Sequence, residues 1–245
     1  MAADRPRDPR RHDVRRGLLS RGLTGIARAI QWLLFSLLFS IAVEWVGMAY
    51  WWPEQGLEHS RDMLSAEIDY LHADVGRSLI SADPVAFART LADRTYFVVF
   101  DLTGIERLVR WLSDAPKGDA GRFQTRMHAW LQPATDHVVA AMQVSQVFAV
   151  RLAVLLLAAP VFGLFALVGL VDGLVSRDLR RWGGGRESSF VYHWAKRSTV
   201  PLLVCSWVAY LALPFSLHPA FVVLPFAGLF ALAVGVTASR FKKYL

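Results

Sequence analysis

Forty-two consecutive positions, Ser198 to Ser239, carry no charged residue. About 20 apolar residues in a helix cross a hydrocarbon layer of ~30 Å. This run is therefore long enough for two crossings, and Phe215-Ser-Leu-His-Pro219, framed by Pro214 and Pro219, supplies the turn between them. Two shorter runs, Ala29–Val43 and Leu152–Val171, are also free of charge. A soluble core can hide one such segment, but three are hard to place without lipid. The apolar share of 54% exceeds the ~45–50% of an ordinary soluble domain, and the excess is concentrated in these runs. The expectation is an all-α membrane protein with four transmembrane helices and an extracytoplasmic helical domain between the first and second.

A cleaved signal peptide is the rival reading of the first run. Its apolar core would be about 7–15 residues, ending in small residues. Here the apolar pattern continues to Tyr50 and ends in Trp51-Trp52-Pro53, so an uncleaved anchor is expected. Trp32 near one end and Trp45, Trp51 and Trp52 near the other suit an aromatic belt. Cys205 is the single cysteine, which excludes an intrachain disulfide or a thiolate metal cluster.

Charge assigns sides. Lys and Arg accumulate on the cytoplasmic side of short loops. Residues 1–28 hold eight Arg against three Asp, a net of +5. Segment 172–198 holds six basic and three acidic residues, a net of +3, and the tail after Ser239 adds three more cations. Segment 51–150 holds nine basic and thirteen acidic residues, a net of −4. The expected order is a basic, disordered cytoplasmic tail (1–25), transmembrane helix 1 (26–50), a periplasmic helical domain (51–150) and transmembrane helix 2 (151–171). A basic cytoplasmic loop (172–198), transmembrane helices 3 (199–216) and 4 (220–238) and a cytoplasmic tail (239–245) follow. The chain would sit in a bacterial inner membrane with both termini in the cytoplasm. The pI near 10.0 then reports topology and an anionic leaflet more than a nucleic acid.

The outer segment is patterned. Leu57, Leu64, Ile68, Leu71, Val75 and Leu79 recur at helical spacing and predict a helix over 56–80. Asp83-Pro84 reads as an N-cap and first turn. The period continues through Phe87, Leu91, Val98, Leu102, Ile105 and Leu112, weakened around Gly104. Residues 114–121 hold Pro and two Gly and read as a loop. From Arg122 a helical pattern runs into the second span without a stop signal, and Pro160 predicts a kink.

Several features invite chemistry. Glu44 is the one carboxylate within the first span, and an intramembrane charge is a functional candidate by default. It lies 16 residues beyond Arg28, roughly 24 Å along the axis, close enough to the outer interface to snorkel. Ala227, Ala231 and Gly235 recur in steps of four and suit close helix packing. Gly183-Gly184-Gly185 lacks the Gly-Lys-Ser/Thr of a phosphate loop and reads as a helix C-cap and turn. Ser188, Ser189 and His193 lack a Gly-x-Ser-x-Gly elbow and an acidic orienter. The seven His show no ligand spacing, so neither catalysis, metal nor cofactor is expected. Arg177, Arg180, Arg181, Arg186, Lys196 and Arg197 are interleaved with Trp182, Phe190, Tyr192 and Trp194. Such a pattern can contact single-stranded DNA, but topology alone would place it at a membrane surface. Lipid and protein contact therefore rank above direct nucleic acid contact.

The block from Val171-Asp-Gly-Leu-Val-Ser-Arg-Asp-Leu-Arg-Arg-Trp to Tyr192-His-Trp-Ala-Lys-Arg197 resembles the integrating conjugative element membrane proteins, a family with no assigned biochemical activity. The likeness extends over the anchor, the outer helices, Val98-Val-Phe-Asp-Leu-Thr-Gly-Ile105 and the last three spans. It implies a role in conjugation, encoded near a coupling-protein ATPase that feeds DNA to a type IV secretion channel, and it brings no catalytic residues. The expected function is a non-catalytic accessory component that contacts the coupling protein or other transfer components. The rivals are a small-solute or ion transporter, a self-associating homo-oligomeric exclusion or structural protein, and a membrane enzyme using Ser188, Ser189 or His193.

Overall fold

The computed structural model describes residues 18–74, 83–113, 122–183 and 189–241. The described residues are helical apart from turns. Residues 1–17 of the expected disordered tail, the helix continuation at Val75 and Leu79, the 114–121 loop, Gly184, Gly185, Arg186, Ser188, Lys242 and Lys243 lie outside them, whereas residues 18–25 of that tail are helical. Among the described residues seven α-helices follow one another: α1 (Leu18–Tyr50), α2 (Leu57–Asp74), α3 (Pro84–Tyr96), α4 (Ile105–Ser113), α5 (Arg122–Trp182), α6 (Ser189–Ala212) and α7 (Pro219–Ser239). The chain falls into two compact units, Met1–Phe35 and Ser36–Leu245. In the first, Trp32 and Phe35 meet edge to face at 6.1 Å. The second carries everything described below.

Local chemistry sets the helix ends. Asp83 caps α3, its carboxylate accepting the Ala86 N–H at 2.9 Å, with Pro84 in the first turn. After Tyr96 a single π-helical stretch, Phe97–Asp101, turns Phe100 inward. Gly104, at φ +76°, then breaks the chain before α4, as only a residue without a Cβ does at little cost. Gly56, at φ +50°, plays the same part before α2. The longest element is α5, 61 residues, or about 90 Å at 1.5 Å per residue. It runs unbroken through Pro133 and Pro160 until the Gly183 N–H bonds the Leu179 carbonyl.

Among the described residues three helical segments, not four, are long and apolar enough to cross a membrane: Leu23–Tyr50, Ala134–Trp182 and Pro219–Ser239. The expected third span, 199–216, falls short for a local reason. Its helix, α6, ends at Ala212 and holds Lys196 and Arg197 within it. The charge-free part, 198–212, is 15 residues, or about 22 Å against the ~30 Å required. Even so, α6 lies along α7, with Tyr192 6.1 Å from Phe241 at one end and Leu211 buried at the other.

The core gathers on the middle of α5. From Ala140 to Phe162 this helix is largely buried. On it pack α2 (Met63 against Val144 and Val147), α3 (Ala92 against Ala149 and Val150) and α4 (Val109, with Phe100, against Met142). The stretch beyond it, from Leu164 to Val175, shows mainly exposed apolar side chains. The described helices between α1 and α5 thus pack around the middle of α5. α2 turns back beside α1, so that His59 meets Glu44 and Met63 lies by Ile41.

Candidate functional site

Where α1, α2, α5 and α6 converge, polar groups are buried that no single stretch of sequence would pair. On α2 the inward stripe is Ser60, Met63, Glu67 and Leu71, at steps of three and four residues, which is the spacing of one helical face. Glu67 is therefore an acid on an apolar stripe. Its Oε1 accepts Arg151 Nε at 2.9 Å and faces Nη2 at 2.8 Å, and its Oε2 accepts the Tyr210 hydroxyl at 2.9 Å. All three side chains are at most 2% exposed. The Arg151 guanidinium also lies 5.5 Å from the centre of the Tyr210 ring.

Arg151 has a second task. The last carbonyls of a helix lack intrahelical partners, and α6 ends here against Pro214. Arg151 donates to the carbonyls of Leu213, Phe215 (2.9 Å) and Tyr210 (3.4 Å). A cation at a helix C-terminus also complements its dipole. One guanidinium thus satisfies the turn between α6 and α7 and pairs the acid of α2. Ser216 adds a bond to the Met63 carbonyl at 3.1 Å, and Ser40 one to the Leu211 carbonyl at 3.0 Å.

Glu44 belongs to the same region. It is 1% exposed, contrary to the snorkelling reading, and its Oε1 lies 3.1 Å from His59 Nδ1. The His59 ring stacks on Trp52 at 4.0 Å. Trp52 in turn covers Gly47, where a Cβ would overlap the indole. Glu44 and Arg151 both line a cavity of about 10 Å³, room for one water. The arrangement holds charge and satisfies it. Glu67 faces Arg151 and Tyr210, Glu44 faces His59, and the space between them admits no larger solute.

The other residues singled out above lie toward the C-terminal end of α5, at the start of α6 and on α7. Ala227 is fully buried, and Ala231 and Gly235 meet α5. Their partners are Gly169 and Gly173: a Cβ on Gly169 would overlap the Ala231 carbonyl, and one on Gly173 the Gly235 carbonyl. The backbones touch, as small residues four apart allow. Segment 172–198 is helix on both sides of residues 183–188, the end of α5 and the start of α6. Trp182 (92%), Phe190 (80%) and Trp194 (68%) stand exposed there. Arg177 approaches Asp178 at 3.6 Å, Arg180 donates to the Ser239 carbonyl at 3.1 Å, and Lys196 lies over the Tyr192 ring. His193 meets the Tyr192 ring edge to face, while Arg181 and Arg197 are exposed.

Reading by sequence alone missed Arg151, Glu67, Tyr210 and His59. Two signals were present. Glu67 falls in step with Met63, Leu64 and Leu71. Arg151 stands at the edge of the charge-free run 152–171, between Val150 and Leu152, where a cation calls for a partner.

Comparison with known proteins adds one finding. The family model described as IncC plasmid conjugative DNA transfer protein DtrJ-like matches residues 51–242. The matched stretch takes in α2 to α7 and begins just beyond α1. No curated protein and no solved structure matches the chain.

Proposed function

The chain belongs to the DtrJ-like family of conjugative DNA transfer proteins, and from that premise we propose that it is a non-catalytic accessory subunit of a type IV secretion-like apparatus. It would sit in a bacterial inner membrane with both termini and the Trp182 end of α5 in the cytoplasm, and dock there on the coupling-protein ATPase or the channel. The observation that carries this reading is the exposure of Trp182, Phe190 and Trp194 beside Arg181 and Arg197. Aromatics and arginine are the residues that anchor protein interfaces, and here none is used to hold the bundle together. The basic balance of 172–198 supports the cytoplasmic side. Likeness of 171–197 to integrating-element proteins supports an integrating element as the carrier. An integrase gene beside the coding sequence, instead of plasmid replication genes, is the check.

The test is crosslinking and affinity purification from detergent, together with transfer frequency. Trp182→Ala with Trp194→Ala should lower transfer at least tenfold and reduce recovery of transfer components, with protein level unchanged. Normal transfer from a deletion strain, or recovery of no transfer component, would sink the reading. A charge-relay role is a second reading, favoured by the cavity that Glu44 and Arg151 share. It requires Glu44→Gln to abolish transfer at normal protein level. On the accessory reading that variant transfers DNA normally.

A further inference from the structure

We propose that the groove between α5 and α7 holds one anionic phospholipid, with its phosphate between Arg180 and Arg240 and an acyl chain laid toward Phe165. The groove encloses about 620 Å³ and changes character along its length. At one end Arg180 and Arg240 line it with Asp172 below them, and at the other its walls are Phe165, Val168 and Leu232. Fifteen residues separate Arg180 from Phe165 along α5, about 22 Å. One leaflet contributes about half of a ~30 Å hydrocarbon layer, so this length suits a headgroup and the chain below it. Val168 and Leu232 are exposed, as a surface facing lipid should be. The groove exists because its helices cross at glycine. Gly169 and Gly173 touch Ala231 and Gly235, while Gly228, one turn before Leu232, lines the groove, and a Cβ there meets nothing within 4 Å. Two guanidiniums against one carboxylate leave one net positive charge at the mouth. Arg180 is also held in place by its bond to the Ser239 carbonyl.

The inference rests on the membrane residence proposed above but not on the partner or on which face is cytoplasmic. A cation at a membrane surface favours anionic lipid by roughly fivefold. In nanodiscs of phosphatidylcholine and phosphatidylglycerol in equal parts, the full chain should retain phosphatidylglycerol over phosphatidylcholine by about fivefold, read by native mass spectrometry on release. Arg180→Gln with Arg240→Gln should bring retention to parity, and Asp172→Asn should raise the preference. Gly228→Leu fills the groove without touching either arginine. It should lower retention of both lipids, whereas a site for phosphate alone would be indifferent to it and would bind glycerol phosphate equally well. Equal retention of both lipids by the unaltered chain, or a preference surviving the arginine variants, overturns the inference and leaves the membrane reading intact. Failure of the chain to enter nanodiscs overturns both.

Discussion

The middle of α5 and its C-terminal part are held by opposite means. Around Arg151, charge meets charge out of water: Glu67, Tyr210 and three carbonyls converge on one guanidinium. Around Gly169 backbone lies on backbone. The first arrangement is specific and brittle. Desolvating two ions costs several kcal/mol each, and attraction repays it only while both are present. The second tolerates changes of polarity but not of volume. The first region therefore fixes which helices meet, and the second fixes how closely they approach.

The sharpest way to break this contrast is to remove one ion. Arg151→Met should cost about 3–5 kcal/mol by stranding Glu67, seen as a lower midpoint in thermal unfolding in detergent. Glu67→Met added to it should recover most of that loss, because apolar replacement of a whole buried pair is often close to neutral. Two additive losses would mean that the pair is not coupled. Next comes volume in the second region. Gly169→Leu should cost about 1–3 kcal/mol or more by overpacking, whereas Gly228→Leu, also in a helix but facing open space, should stay within about 0.5 kcal/mol. Equal effects would show that helix propensity, not contact, decides both. Tyr210→Phe, which withdraws one hydrogen bond from Glu67, should cost about 1–3 kcal/mol. Smallest of all, Trp182→Ala should leave the unfolding midpoint unchanged within about 0.5 kcal/mol. A larger loss would mean that the exposed aromatic end belongs to the fold and not to an interface.

Features that depend on near neighbours could be read directly. The cap at Asp83, the run of α5 into its apolar stretch and the apolar lengths of α1, α5 and α7 all follow from spacing, glycine and proline, whereas at Gly104 the sequence shows only a weakened period and the structure a break. The third span could not be read the same way. Its charge-free run is ample on paper, but α6 stops at Ala212, because Leu213-Pro214 turns the chain and Arg151 takes up the freed carbonyls. Glu44 was conspicuous and its partner was not: His59 is 15 residues on, across a turn that folds α2 back. Gly169 and Gly173 were visible, yet their match to Ala231 and Gly235 needs both helices in place.

By itself, the sequence determined that this chain is helical, where its apolar lengths lie and how its charge divides, because those properties sum over residues close along the chain. Only the tertiary structure decided which charges are buried and how they are satisfied. Glu67 meets Arg151 across 84 residues and Tyr210 across 143, and a charge survives away from water only where such a partner is brought within hydrogen-bond reach. The long uncharged run that constrained the fold most was thereby divided into one helix able to cross a membrane and one that lies along it.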